Sequence, residues 1–356
     1  MPLSRFVVGG EPVFPPLYIF SKNRGQFSDY ATSLDDFFKY YTFGAYYSFK
    51  LIVQYLRLSG EGYVLLPAYL CPSMILPFKE AGVKYDFYRL KEGLLPDLED
   101  IDRKTSPGLK AVLFVDYFGF PQKDYLASLV ESLRSKGIKI IQDTVQAWLD
   151  NEDSLYGDYC LNSVRKYSPF EASILLSRDE MRLARNEGSI KTFIHHKRLA
   201  QFLRYCHLNY GFIPAETFLK HIDIANRAYH QNEIVSCPWF NVFLLDKIDF
   251  NSQGRKRKLV FSTIYNSLSP KLVVGEPLQD VVPLGMPIYL EERNEIKKRL
   301  HLLDIHCPVH WYLSDEIDKR EHSYCWDLQD HELTLPVNVK LYQLPEYIQK
   351  LREVLG

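Results

Sequence analysis

The sequence predicts an α/β protein with a mostly parallel central sheet and a smaller α+β domain towards the C-terminus. Short apolar runs typical of buried strands alternate with segments of helical spacing between about residues 44 and 141, and βαβ units produce this alternation. A chain of 356 residues is too long for one small core. Hydrophobic residues make up 46% of it, which is enough for two cores.

The elements of the large domain follow one another in a regular order. Residues 1–40 contain several prolines and glycines and predict an arm with little regular structure. A helix is expected to begin near Gly44, where apolar residues take up helical spacing. Strands are predicted at 63–67, 83–88, 110–119 and 138–141, with a helix at 125–136. These elements place the large domain at 41–237.

The small domain is predicted at 238–356, after a change of pattern near Ser236, Cys237 and Pro238. A long helix is expected at 248–268, a strand at 281–289 and a helix at 291–303. An extended segment at 305–311, a strand at 333–336 and a final helix at 345–355 complete an α+β arrangement.

Charge and cysteine usage exclude several classes of function. The 43 basic and 44 acidic residues give a net charge of −1, so no overall field attracts nucleic acid or an anionic membrane. The basic run 255–258 is interpreted as a solvated helix start or linker. Six cysteines show no metal-ligand spacing and fit a reducing compartment. With no signal-peptide pattern and no span of ~20 apolar residues, a soluble, cytoplasmic protein is expected.

Four polar residues follow two of the apolar runs in the middle of the chain. Asp143 and Gln146 come at the carboxyl end of the strand at 138–141, the edge where open α/β sheets bind ligands. Ser163 and Lys166 come after the next apolar stretch. Pyridoxal phosphate requires such a set: a lysine for its aldehyde, a carboxylate for its ring nitrogen, and polar donors for its phenolic oxygen and phosphate. Taken singly, each residue has a simpler structural interpretation, such as a helix cap or a solvated side chain.

The segment Asp143-Thr-Val-Gln-Ala147 resembles the Asp-x-x-Gln-Ala signature of the DegT-type nucleotide-sugar aminotransferases, which have fold type I of the pyridoxal phosphate (PLP) enzymes. Gly157-Asp158, followed by Ser163-Val-Arg-Lys166, is similar to the Gly-Asp…Ser…Lys run of that family. The resemblance implies that Lys166 is the Schiff-base lysine and Asp143 the partner of the ring nitrogen. It also implies that Gln146 donates to the phenolic oxygen and Ser163 binds the phosphate.

Weaker matches extend the resemblance towards both ends of the chain. Gly44 and Ala45 lie where the family binds phosphate at a helix start, and Tyr69 or Cys71 lies where a residue stacks on the cofactor ring. Asn209, with Asn226 as a rival, lies in the region that offers an asparagine to the neighbouring subunit's phosphate.

His310 and Trp311 lie on a predicted strand that faces the cleft, where they would contact substrate. For both residues a place in the core is the alternative.

The resemblance implies a PLP-dependent aminotransferase that acts on a nucleotide-linked keto sugar with an amino acid, expected to be glutamate, as amino donor, and that forms a homodimer. An alternative remains open: a catalytically altered or inactive homologue that serves as a binding or assembly protein. It is motivated by Tyr46, Tyr47 and Cys71, and by Glu171-Ala-Ser173, which stands where the family has a glycine pair.

Overall fold

The computed structural model describes residues 6–10, 12–13, 16–22, 24–56, 62–147, 152–184, 186, 190–211, 213–274 and 281–356. The strands in this part of the chain are β1 Val8–Gly9, β2 Phe38–Thr42, β3 Tyr63–Pro67, β4 Lys84–Tyr88, β5 Leu90–Lys91, β6 Leu95–Pro96, β7 Leu109–Val115, β8 Lys139–Asp143, β9 Tyr159–Leu161, β10 Ser173–Ser177, β11 Met286–Tyr289, β12 Ile305–His306 and β13 Glu332–Leu335. The helices are α1 Gln26–Ser33, α2 Ala45–Tyr55, α3 Pro72–Glu80, α4 Leu98–Lys104, α5 Lys123–Ser135, α6 Lys191–Tyr210, α7 Ala215–Arg227, α8 Trp239–Leu245, α9 Phe250–Leu268, α10 Arg293–Leu302, α11 Ser323–His331 and α12 Leu344–Leu355.

Seven strands form the central sheet, in the order β2, β10, β9, β8, β7, β3, β4. Strands β4, β3, β7, β8 and β9 pair in parallel, and β10 runs antiparallel to both of its neighbours. Nearly every residue of β3, β7 and β8 is buried, because a parallel sheet is covered on both faces. The mostly parallel sheet predicted from the sequence is confirmed.

The carboxyl end of β8 lies in the middle of this sheet. Asp143 is opposite Val115 of β7 on one side and Leu161 of β9 on the other. Side chains that leave the sheet at this edge therefore come from neighbouring strands and can surround one ligand.

The C-terminal part contains an antiparallel pair of strands, β11 and β13, with helix α10 packed against β13 and α12 packed against α10. The start of the chain also reaches this part, since β1 pairs in parallel with β12 and places Val8 opposite Ile305. The predicted helices at 248–268, 291–303 and 345–355 are confirmed to within two residues at each end. The predicted strand at 281–289 is shorter, beginning only at Met286.

Three segments differ from the sequence interpretation. The region 1–40 contains helix α1 and the start of β2, and is thus more regular than predicted; its residues 1–5, 11, 14–15 and 23 lie outside the described residues. The strand predicted at 110–119 ends at Val115, because the buried residues after it form a turn. The basic run 255–258 lies inside α9, where Arg257 is buried and donates to the carbonyl oxygens of Pro283 and Leu284.

Candidate active site

Asp143 lies at the bottom of a cavity at the carboxyl edge of the sheet. Its side chain is buried, and its Oδ1 accepts a hydrogen bond of 2.7 Å from the Val145 N–H. Burial raises the pKa of the Asp143 carboxyl to about 7, against the opposing effects of the Val145 N–H and the Lys166 ammonium. A cationic group beside Asp143 would stabilise its carboxylate form.

Gln146 is held in one orientation by the neighbouring turn. The Phe118 N–H donates to Gln146 Oε1 over 2.7 Å, and because a backbone N–H can only donate, the amide oxygen must face Phe118. The amide nitrogen Nε2 is then directed away from Phe118. Nε2 is buried and has no hydrogen-bond partner among the described residues, although buried donors are normally satisfied.

The turn that holds Gln146 depends on Gly119. This residue has a φ of 94°, in the left-handed region that favours glycine. A Cβ at Gly119 would lie 2.9 Å from the carbonyl oxygen of Val282 and 3.0 Å from that of Gln146. Both contacts are backbone atoms that cannot move aside cheaply, so a glycine is required beside the site.

Lys166 ends a short 3-10 turn, Val164–Lys166, that follows β9. Burial lowers the pKa of the Lys166 ammonium to about 8, and the positive charge of Arg165 acts in the same direction. Cys71, Asp143 and Glu171 oppose that shift. At pH 7 about a tenth of Lys166 is therefore an uncharged, nucleophilic amine, far more than for an ordinary lysine.

Six of the residues predicted from the sequence line one cavity of about 260 Å³, called here the inner cavity: Ala45, Cys71, Asp143, Gln146, Ser163 and Lys166. Trp311, predicted to contact substrate, also lines it. Ser163 Oγ is buried and, like Gln146 Nε2, has no partner among the described residues. The four polar residues that the sequence singled out therefore surround a common space.

A larger cavity of about 1120 Å³, called here the outer cavity, shares Arg165, Lys166, Glu171 and Lys197 with the inner one. Its described lining is strongly basic, with the cationic side chains of Arg165, Lys166, Lys197, Arg257, Lys297 and Lys298. Among these lining residues Glu171 is the acidic one, and its Oε2 lies 4.0 Å from Arg165 Nε. The outer cavity is therefore suited to an anionic molecule.

Other predicted residues lie beside the inner cavity or away from it. Gly44 is the N-cap of α2, directly before Ala45. Tyr69 is fully buried, with its ring packed against those of Tyr117 and Trp311, while Cys71 lines the cavity. In this structure the thiol and not the phenol therefore borders the space.

The two asparagines of the sequence prediction have different positions. Asn226 lines the inner cavity. Asn209 lines neither cavity, and its side-chain nitrogen donates to the Tyr205 carbonyl oxygen on the same helix. Within one chain, Asn226 is therefore the asparagine that lies at the site.

His310 lines the outer cavity, where its ring feels the positive charge of Lys166. Burial, the main cause, and this charge lower the pKa of its imidazole to about 3. His310 and Trp311 follow β12 in a segment without regular structure, whereas the sequence placed them on a strand. That placement on a strand was wrong.

Of the two tyrosines that departed from the family pattern, Tyr46 lines the inner cavity and Tyr47 does not. The Tyr46 hydroxyl donates to both carboxylate oxygens of Glu80, at 2.7 and 2.6 Å, and the Tyr47 hydroxyl donates to the carbonyl oxygen of Tyr229. Their rings form a buried aromatic group with Phe43 and Phe193. This group packs beside the start of α2, and a cavity remains next to Asp143.

The missing glycine pair is not a source of strain. The described non-glycine residues with positive φ are Leu94, Phe118, Ser269 and Asp304, so residues 171–173 do not adopt the left-handed conformation. Asn241 Nδ2 donates to the Glu171 carbonyl oxygen over 2.7 Å, and Ser173 belongs to β10. Ordinary side chains are therefore compatible with the backbone beside Lys166.

Lys197 and Tyr229 are among the residues of the inner cavity that the sequence analysis did not identify. Lys197 lies on the face of α6 that also buries Phe193, Ala200 and Gln201. A lysine on the apolar face of an amphipathic helix was a usable signal, since lysine is rarely buried without a function. Tyr229 follows α7 in an aromatic segment that carries no recognisable motif.

Among the described residues, no group of three or more histidine, cysteine or acidic side chains is placed to hold a metal ion. The same residues contain no helix of the length and apolarity needed to cross a bilayer. All six cysteines are free thiols.

The residues of the inner cavity fit pyridoxal phosphate. Two buried donors without partners, Gln146 Nε2 and Ser163 Oγ, are available for the phenolic and phosphate oxygens. The start of α2 adds backbone N–H groups, since helix N-termini bind anions. Asp143 and Lys166 interact electrostatically across the same cavity and supply the carboxylate and the amine.

No family model matches the sequence, and no curated protein matches it. Solved structures do match. Spr1654 from Streptococcus pneumoniae, assigned as a sugar aminotransferase and solved in its PMP form, has a TM-score of 0.71 at 12% identity, covering 98% of this chain and 99% of that one. The aminotransferase TlmJ from Streptoalloteichus hindustanus has a TM-score of 0.70 at 14% identity, covering 98% and 99%. A DegT DnrJ EryC1 StrS aminotransferase from Brucella abortus has a TM-score of 0.65 at 13% identity, covering 97% and 92%.

These structural similarities extend over nearly the full length of both chains compared, at low sequence identity. They therefore establish the architecture, and the α/β fold predicted from the sequence is confirmed. The chain has the fold of the sugar aminotransferases, fold type I of the PLP-dependent enzymes.

Proposed function

We propose that this chain is a PLP-dependent aminotransferase that transfers an amino group to a keto sugar linked to a nucleotide, with glutamate as the amino donor. The observation that carries the proposal is the inner cavity, where Asp143, Gln146, Ser163 and Lys166 surround one space of the right chemistry. The structural likeness to sugar aminotransferases supports the reaction class.

Bound pyridoxal phosphate supplies an aldehyde for covalent attachment and a ring that withdraws electrons from the reacting carbon. Lys166 would hold the cofactor through its aldehyde, and its Nζ would accept and return the proton that moves during transamination. Its lowered pKa of about 8 suits both tasks, because the amine can lose and regain a proton near neutral pH. Asp143 would favour the protonated form of the ring nitrogen.

The other residues of the inner cavity orient the cofactor. Gln146 Nε2 would donate to the phenolic oxygen, and Ser163 Oγ and the N–H groups at the start of α2 would bind the phosphate. Cys71 would lie beside the ring, and Tyr69 packs against Trp311, which lines the same cavity. Asn226 would bind the phosphate of its own chain, whereas Asn209 would contact the phosphate bound by a neighbouring subunit.

The outer cavity is proposed to bind the nucleotide sugar. Its basic lining supports a substrate that carries a diphosphate, because phosphate groups favour lysine and arginine partners. Residues 41–237 would form the large domain and 238–356 the small one, with the outer cavity lined by both. A cytoplasmic homodimer with no nucleic-acid or membrane partner completes the proposal.

Covalent capture of the cofactor tests this function. After incubation with pyridoxal phosphate and borohydride reduction, mass mapping should find the pyridoxyl group on the peptide that contains Lys166. The Lys166→Ala variant should lose the label, whereas Lys197→Ala, which removes another lysine of the same cavity, should keep it. Absence of cofactor from the wild-type protein, or labelling at Lys197 alone, would overturn the proposal and favour a binding protein.

A further inference from the structure

Three buried side chains beside Lys166 form a continuous hydrogen-bonded chain that the proposed mechanism does not use. The backbone N–H of His310 donates to Glu332 Oε2 over 2.7 Å, and the ring nitrogen His310 Nδ1 lies 2.8 Å from Thr334 Oγ1. Thr334 Oγ1 in turn bonds to Glu332 Oε1. All three residues are less than a tenth exposed.

We propose that Glu332, Thr334 and His310 form a proton relay that decides which ring nitrogen of His310 carries the hydrogen. The relay thereby decides whether the ring donates or accepts a hydrogen bond in the outer cavity next to Lys166. This inference rests on the proposed function only for its consequence in catalysis, since the relay itself is a property of the protein alone.

The segment that carries His310 is tied firmly to β13, which makes the relay geometry rigid. Thr334 N–H donates to the Pro308 carbonyl oxygen over 3.0 Å, two residues before His310. Glu332 and Thr334 are two positions apart on β13, so their side chains point to the same face of the strand. His310 Nδ1 is hydrogen-bonded to Thr334 Oγ1, and Nε2 makes no hydrogen bond among the described residues.

The direction of the relay follows from the hydrogens that each group possesses. Glu332 Oε2 accepts from the backbone N–H of His310. A proton on the carboxyl group must therefore be on Oε1, where it points at Thr334. The threonine hydroxyl has one hydrogen. When it accepts from Glu332, it donates to His310 Nδ1, and the ring hydrogen is then on Nε2. When Glu332 is ionised, the hydroxyl donates to the carboxylate and accepts from Nδ1–H, which leaves Nε2 as an acceptor.

The environment of Glu332 places the change of His310 tautomer near physiological pH. Burial raises the pKa of the Glu332 carboxyl to about 8, against the opposing effects of the His310 N–H, the Thr334 hydroxyl and the cations Arg293 and Lys297. The other titratable groups that face this carboxyl are Cys307 and Tyr69, and Lys166 faces the His310 ring.

At pH 7 the carboxyl group is therefore protonated, and His310 offers an Nε2–H to the outer cavity. The ring itself remains uncharged, because the pKa of its imidazole is lowered to about 3. Such a donor would bind an oxygen atom of the substrate held beside Lys166. Above about pH 8 the same nitrogen becomes an acceptor and repels that oxygen.

Two-bond ¹H–¹⁵N spectra of the full chain labelled with ¹⁵N-histidine read the tautomer directly, and a His310→Asn variant identifies the signals of His310. In the wild type, the hydrogen should be on Nε2 at pH 6.5 and on Nδ1 at pH 9.5. Glu332→Gln should keep the ring hydrogen on Nε2 at both pH values. The oxygen of the glutamine amide must accept from the backbone N–H of His310, so its nitrogen can only donate to Thr334.

Thr334→Val, which removes the hydroxyl at constant volume, should abolish the difference in His310 tautomer between the two pH values. Thr334→Ser should restore that difference. One tautomer at both pH values in the wild type, a doubly protonated ring, or a reversal that persists in Glu332→Gln would each overturn the relay. No cofactor is present in these spectra, so failure here is distinct from failure of cofactor capture at Lys166.

Discussion

At Lys166 the protein lowers a pKa mainly by burial, and neighbouring charged groups adjust the shift in both directions. Desolvation is the larger cause of the lowered pKa, and Arg165 adds repulsion from the next position in the chain. At pH 8 about half of the Lys166 amine is then uncharged, compared with well under 1% for a lysine of ordinary pKa near 10.4. Asp143 is shifted in the opposite direction, because the buried charge there is negative.

Covalent capture of pyridoxal phosphate should therefore depend on pH with a midpoint near 8. The neutral amine is the nucleophile, so the capture rate should rise as pH increases through this value and level off above it. Arg165→Gln removes a cation that disfavours the ammonium and should move the midpoint to higher pH. Stopped-flow absorbance from pH 6 to 10 measures both effects.

The matched control for this pH profile is Arg352→Gln, which removes an exposed charge on α12. It should leave the midpoint unchanged. A wild-type midpoint near 10, or an Arg165→Gln midpoint below that of the wild type, would show that Arg165 and burial do not set the charge of Lys166.

At the level of elements, the site depends on how the segment after α7 meets the start of α2. Gly44 has a φ of −176°, which any residue can adopt, so its conformation alone does not require glycine. The available space does require glycine, because a Cβ at Gly44 would lie 2.3 Å from the Tyr229 hydroxyl oxygen and 3.5 Å from the adjoining ring carbon. The hydroxyl of Tyr229 thus occupies the room that the glycine leaves.

The Gly44→Ala variant should consequently lose stability through overpacking, by roughly 1–3 kcal/mol. Because the clash is with a single oxygen atom, Tyr229→Phe in the same chain should recover most of that loss. Urea unfolding of the two single variants and the double variant gives the coupling free energy. If the two changes add independently, the contact between α2 and Tyr229 is absent in solution.

Sequence reasoning found the parts of the site that are close together in the chain. Asp143 and Gln146 share one turn after one strand, and Ser163 and Lys166 share another, so local spacing was informative. Glu332 and Thr334 could not be found in this way, because they join His310 only through the pairing of distant segments. The strand predicted at 110–119 was too long because Phe118 and Gly119 are buried in a turn, and burial alone does not separate a strand from a turn.

For the whole molecule, charge is balanced overall and concentrated locally. The net charge of −1 gives no general attraction for anions, yet the outer cavity is lined by several cationic residues with Glu171 as the acidic one among the described residues. Clefts lined by charges of one sign focus the electrostatic field. The fold therefore directs anions to the space next to Lys166, which neither composition nor isoelectric point could have indicated.

A nucleotide should bind where α10 contributes Lys297 and Lys298 to this cavity. We expect the double variant Lys297→Gln, Lys298→Gln to weaken binding of UDP about five- to tenfold at low salt, since each exposed charge contributes a modest attraction. The difference should shrink in 0.5 M salt, because screening removes most of that attraction. The exposed residues Lys84 and Lys136 lie outside the described lining of the cavity, and their double substitution by Gln alters the net charge equally. If calorimetry finds the same UDP affinity for both double variants, the basic lining of the outer cavity does not hold the nucleotide.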